Sequence, residues 1–179
     1  MSGGFRPVQD FSGSDYTGKV QTFGVDAGHA TLLAVGDLVT ITGQSDANGL
    51  QEVDAAAAGG LITGAIVSIL PNFSDLEASG LAASTAGKVM VTTDPLVLFE
   101  CETSTTVAAT DVGQNAELLA TAASASGGLT NSNMVMNSGT FIAATAQLRL
   151  EGLKDGGTAA GSTVFCRINE STVGGVVGI

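Results

Sequence analysis

Between residues 19 and 169 the chain is cut into short apolar runs, none longer than ten residues, by clusters of Gly, Asn, Asp and Ser. The runs are KVQTFGV (19–25), DLVTITG (37–43), LQEVDA (50–55), LITGAIVSIL (61–70), GKVMVTT (87–93), PLVLFECE (95–102), NAELLAT (115–121), NMVMN (133–137), ATAQLRLEGL (144–153) and STVFCRIN (162–169). Strand-length segments rich in β-branched residues and separated by turn formers specify a small antiparallel β-barrel or β-sandwich. None sustains a 3.6-residue period long enough for an amphipathic helix. The fold class is therefore all-β.

Details within the runs agree. Val97, Phe99 and Cys101 fall on one face of their segment, and Leu96, Leu98, Glu100 and Glu102 on the other. Leu148 and Leu150 alternate with Gln147, Arg149 and Glu151, the pattern of a half-buried strand. Asn48-Gly49 reads as a hairpin turn, because both residues tolerate positive φ. In 74–84, Ser74 and Glu77 have the spacing of a capping box for one helical turn limited by Gly80. ATDVGQ (109–114) reads as a tight or short helical turn closed by Gly113. Residues 1–17, rich in Gly, Ser and Asp, read as an extended arm, flexible or docked on a partner. Residues 18–72 are expected to form a first β-barrel region, 73–170 a second β-rich region and 171–179 a C-terminal tail; two β subdomains and one interleaved sheet system both fit this pattern. No strict internal repeat is present.

Composition narrows the function. Seven Phe, one Tyr and no Trp make a thin core for 179 residues, and burial against a neighbour would offset that deficit. Six Lys and Arg (Arg6, Lys19, Lys88, Arg149, Lys154, Arg167) stand singly against seventeen Asp and Glu, a net charge of -11. Phosphate backbones are bound by clustered cations, so nucleic acid is not an expected partner. Cys101 and Cys166 lie inside apolar runs and read as small buried hydrophobes rather than as a disulfide framework. MSGGFRPVQDFSGSDYTG has no apolar core of a secretory leader, and no stretch is long enough to span a bilayer. Synthesis in a reducing cytoplasm is the expectation.

A catalytic constellation is not legible. The single histidine, His29 in DAGHAT, lacks an adjacent nucleophile motif and reads as a surface-loop residue. Gly-x-Ser-x-Gly, GxGxxG and the P-loop pattern are missing. One His and two distant Cys do not make a zinc site. SDANG opens like a calcium loop, but Ala57 stands where the bidentate Glu would be needed, so it reads as a turn capped by its own Asp and Asn. The pairs Glu52/Asp54 and Glu100/Glu102 each share a strand face; with no Trp platform beside them they read as solvated faces. No catalytic, cofactor or metal residue is assigned, and a non-enzymatic chain is expected.

The order of GDLVTITG, GGLITGAIVSI, DPLVLFECE, AATDVGQNAELL, AQLRLEGL and VFCRINES resembles the capsid decoration, or cement, proteins of tailed bacteriophages. The likeness is carried by D-P-x-V-x-F-E at 94–100, A-A-T-D-V-G-x-N-A at 108–116 and R-I-N-E at 167–170, and covers roughly 36–170. It implies a β protein on the outer capsid surface of a virion, bridging major capsid protein subunits, without cofactors and without membrane or nucleic-acid partners. A trimer or other symmetric homo-oligomer is expected with it. Phe5 and Phe11 in the arm, and Val176, Val177 and Ile179 in the tail, are the candidate partner-docking residues. A phage tail or fibre adhesin is the alternative reading, since such proteins are also Gly-, Ser- and Thr-rich and all-β.

Overall fold

A computed structural model describes residues 3–71, 76–142 and 144–173. The chain runs through β1 (Arg6–Asp10), β2 (Val20–Val25), β3 (Leu38–Ser45), β4 (Gln51–Ala55), β5 (Gly64–Ile69), β6 (Gly87–Thr92) and β7 (Val97–Glu102). It continues through β8 (Asn115–Leu119), β9 (Ser124–Ser126), β10 (Leu129–Asn131), β11 (Val135–Ile142), β12 (Leu148–Leu153) and β13 (Thr163–Ile168). Two single 3-10 turns, Ala109–Asp111 and Lys154–Gly156, are the only helical elements among the described residues. All ten apolar runs contain strands, and the all-β expectation is met.

Five strands close into a barrel in the order β2-β4-β3-β5-β6. Its contacts are antiparallel except at Gly24, which faces Glu52 across a parallel β2–β4 pair. The inward residues Phe23, Val25, Leu33, Val39, Val53, Ile66, Leu81, Val89 and Val91 fill it. Asn48-Gly49 makes the β3–β4 turn, with Gly49 at φ +77°. Asp46 Oδ1 accepts the Asn48 and Leu50 N–H groups at 2.8 Å each, so SDANG is the self-capped turn its residues suggest. Gly64 lies where β5 crosses β6: a Cβ there would collide with the Thr92 carbonyl oxygen.

The second layer is a six-stranded sheet ordered β1-β7-β13-β12-β8-β11. It curls on itself until β11 returns to the end of β7, where Thr103 and Met136 form a parallel bridge and the Ser104 N–H reaches the Met136 carbonyl at 3.0 Å. Its concave face buries Val97, Phe99, Leu118, Met136, Leu148, Leu150, Val164 and Ile168. Leu38, Ala56, Ile62 and Ala65 of the barrel region belong to the same cluster, so the two layers share one core.

Three organisational expectations are corrected. Residues 6–10 are not a free arm: β1 pairs with β7, its Pro7 lying beside a bulge on an edge strand, where a missing N–H is tolerated. The boundary expected at 72/73 falls one strand early, because β6 is hydrogen-bonded to both β2 and β5 and closes the barrel. The tail expected from 171 begins attached: the Thr172 N–H donates to Ile62 O at 3.0 Å, and Thr63 Oγ1 meets Thr172 Oγ1 at 2.8 Å. In 76–84 there are bends and a bridge from Leu81 to Leu33 rather than a helical turn; Ser74 lies outside the described residues.

The resulting topology is an insertion. β1 and β7 are neighbours in the sheet, with Asp10 opposite Val97, and every barrel strand lies between them in sequence. Lys19 at the barrel's entry reaches Asp94 at its exit at 2.7 Å and Asp10 at 3.6 Å, tying the neck.

Candidate partner interface

The five candidate docking residues separate. Phe5 is 1% exposed and sits in the shared core, its N–H bonded to Gly36 O at 2.8 Å, so it anchors its own chain and is not offered to a neighbour. The short polar strand RPVQD gave no apolar alternation by which this could be read. Val176, Val177 and Ile179 lie outside the described residues.

Phe11 is 53% exposed at the end of β1, and its N–H donates to Leu96 O at 2.7 Å, holding it beside Leu96, itself 49% exposed. The Arg167 guanidinium lies over the Phe11 ring, 4.9 Å from its centroid. Arg167 is oriented in turn by Glu151, whose Oε1 it meets at 2.6 Å, while Arg149 approaches the same oxygen at 3.5 Å. Phe11, Leu96 and Arg167 thus form a fixed patch of two apolar side chains and one guanidinium at the sheet margin. Aromatic and Arg residues held in this way are the types that dominate binding energy at protein interfaces. Leu96 and Arg167 escaped the sequence reading because only cross-strand pairing brings them to Phe11.

Beside β1, a cleft of about 400 Å³ runs between barrel and sheet, walled by Phe5, Arg6, Tyr16, Val35, Ile66 and Glu100. The Glu100 carboxylate, read from sequence as part of a solvated face, is gripped by Arg6 and by Lys154 at 2.9 Å. Desolvation pushes its pKa up, but the hydrogen bonds and charges of Lys154 and Arg6 outweigh it and hold it below the usual value.

Cys101 and Cys166 are both buried free thiols, on the adjacent strands β7 and β13, with Sγ atoms 3.4 Å apart. Burial, then the neighbouring thiol, pushes the Cys166 pKa well up. His29, expected on the surface, is instead 4% exposed, with Nε2 bonded to the Thr85 carbonyl at 3.0 Å. Among the described residues no three His, Cys, Asp or Glu side chains gather closely enough to share a metal ion. Nor is any helix there long and apolar enough to cross a membrane. Comparison with protein-family models, with curated proteins and with solved structures gives no match.

Proposed function

We propose that this chain is a non-enzymatic structural protein that decorates the outer surface of a tailed-bacteriophage capsid and stabilises it by binding across major capsid protein subunits. The observation that carries the reading is the rigid Phe11–Leu96–Arg167 patch, an exposed apolar pair braced by a backbone hydrogen bond and a stacked guanidinium. The sequence blocks at 94–100 and 108–116 support the choice of partner. They fold into the start of β7 and the turn into β8, next to the patch in one case and on the same sheet in the other. A protein that binds the assembled shell and not loose subunits stabilises the shell by linkage. Symmetric self-association on the lattice belongs to the same proposal.

The test is to add the purified protein to capsids that lack it and follow their rupture temperature. Saturable binding at a copy number set by the lattice, with a raised rupture temperature, is the expected result. No binding, or a few copies at one vertex, overturns the reading in favour of a tail or fibre part.

A further inference from the structure

Cys101 and Cys166 are the chain's two cysteines, 65 positions apart in sequence, and the fold brings their sulfurs to 3.4 Å. The strand ladder sets the meeting. β7 and β13 run antiparallel with Val164 opposite Cys101 and Cys166 opposite Phe99, so the thiols are diagonal neighbours on one face of the pair. In a regular sheet such diagonal Cα atoms stand about 7–8 Å apart, at the outer limit for a bridge. The ladder is not regular here. β12 bulges as it passes Cys166, with Leu150 opposite Cys166, Gly152 opposite Phe165 and Glu151 as the extra residue. A bulge increases the local twist, and twist draws the strands of a pair together along one diagonal. The sulfurs meet on such a diagonal.

The surroundings of the two sulfurs leave them to each other. Both thiols are buried in the shared core, and each has the other as its polar contact. Among the described residues no His, Asp or Glu joins them as a third metal ligand. A disulfide is about 2.05 Å long, so from 3.4 Å the contact has little more than an ångström to close. In the unfolded chain the same thiols stand at the ends of a long loop, and bringing them together costs the entropy of closing it. The fold meets that cost before any bond forms.

We propose that Cys101 and Cys166 form a reversible disulfide across β7 and β13, a redox latch inside the sheet. The oxidant is a small-molecule disulfide such as oxidised glutathione. One protein thiolate attacks it, making a mixed disulfide and releasing one glutathione. The second protein thiolate attacks the protein sulfur of that mixed disulfide and releases the other. Two S–H bonds on the protein give way to one S–S bond, and two electrons and two protons leave on two glutathione thiols. Burial sets the timing: both sulfurs are closed off in the native packing, so exchange takes place while β7 and β13 are apart, during folding or local opening. The closed bond resists that opening. It ties the strand that Leu96 immediately precedes to the strand that carries Arg167, and so braces the surface patch from beneath. The latch stands whatever partner that patch takes.

The test compares the folded and the unfolded chain in glutathione buffers graded from reducing to oxidising. The native protein is brought to equilibrium from both sides, refolded once from the reduced and once from the oxidised chain, and a parallel series is held unfolded in urea. Each sample is quenched in acid, its free thiols are alkylated, and the internal disulfide is counted by intact mass. The effective concentration of the thiol pair is expected to be at least about tenfold higher in the native protein than in urea. By linkage, the denaturation midpoint should then be higher in oxidising than in reducing buffer. Cys101→Ala and Cys166→Ala should each abolish that dependence on the buffer; the main comparison uses the unsubstituted protein, so a folding defect in either variant does not touch it. An effective concentration no higher than in urea, or oxidation that yields only glutathione adducts and disulfide-linked dimers, overturns the proposal.

Discussion

Gln147 carries more of the architecture than its place in the chain suggests. Its side chain is fully buried and all four hydrogen-bonding positions are used. Oε1 accepts from Gly59 N at 3.0 Å and Leu118 N at 2.9 Å, while Nε2 donates to Ala57 O at 2.8 Å and to Gly60 O. One amide thereby pins the β4–β5 connection of the barrel to the sheet. Gln147→Leu would strand the Leu118 N–H and the Gly60 carbonyl, while Gly59 N–H keeps Glu117 Oε2 at 3.1 Å and Ala57 O keeps the Gly60 N–H at 3.2 Å, and it is expected to cost about 3 kcal/mol in chemical denaturation. Gln147→Glu should fail as well, because a carboxylate has no proton for Ala57 O and Gly60 O. The alternation in ATAQLRLEGL placed Gln147 on the polar face with Arg149 and Glu151. Strand periodicity assigns faces, but it is blind to a buried polar group satisfied from another layer. Asp37 is a second buried polar residue. Desolvation raises its pKa above the ordinary value near 3.8, against the opposing hydrogen bonds of Ser132 and of Ala34 N–H at 2.7 Å. The native state therefore holds that proton to higher pH than the unfolded chain does, and stability falls as pH rises above about 3.8 through the native pKa. Asp10, Asp46 and Asp94, lowered mainly by hydrogen bonds from Ser12 N–H, Leu50 N–H and Lys19, respectively, act in the opposite sense and lose their contribution in more acidic solution. Relative to Asp37→Asn, the unsubstituted protein should lose stability as pH rises above about 3.8, as read from denaturation midpoints; a difference that does not change with pH would refute the assignment.

Elements were the most legible scale. β7, β12 and β13 lie within the runs their side-chain alternation marks, because burial alternates along them with the period of two of a strand; β2 and β6 also lie within their apolar runs, though consecutive residues are buried in each. β9 and β10, three residues each in a Ser-, Gly- and Asn-rich loop, have no apolar face to advertise. β1 was hidden for a related reason: its strand pairs through the backbone while its main burial, Phe5, lies one residue before it. Of the candidate docking residues only Phe11 is available at the surface within the described structure. A Phe11→Ser, Leu96→Ser double variant is expected to keep its thermal midpoint and to weaken shell binding at least tenfold, measured by co-sedimentation, since truncating a hot-spot pair costs more than 1 kcal/mol. β7 and β13 carry the thiol pair across their shared ladder. With both cysteines buried and the Cys166 thiolate disfavoured, maleimide should leave the native protein unlabelled and label both residues once it is unfolded. Labelling of the native fold would show that β7 and β13 separate locally.

At the scale of the whole molecule, barrel and sheet share Phe5, Leu38, Ala56, Ile62 and Ala65 with the sheet's concave face. Calorimetry should accordingly record one cooperative transition, and two resolved transitions would contradict the shared core. Removing residues 1–17 takes away β1 and Phe5 together, so it should lower the midpoint at least as much as Phe5→Ala, itself about 3–5 kcal/mol; a free arm would be lost without effect. The neck has a consequence for how such a gene can change. Asp10 and Val97 already face one another in the ladder, so joining them needs only a tight turn, and codons 11–96 form a contiguous cassette that recombination can exchange without redrawing the sheet. Any replacement must bring its own apolar plug for the surface that Leu38, Ile62 and Ala65 now cover, and backbone partners for the Gln147 amide in place of Ala57, Gly59 and Gly60, which confines the exchange to cassettes that arrive with a matching underside.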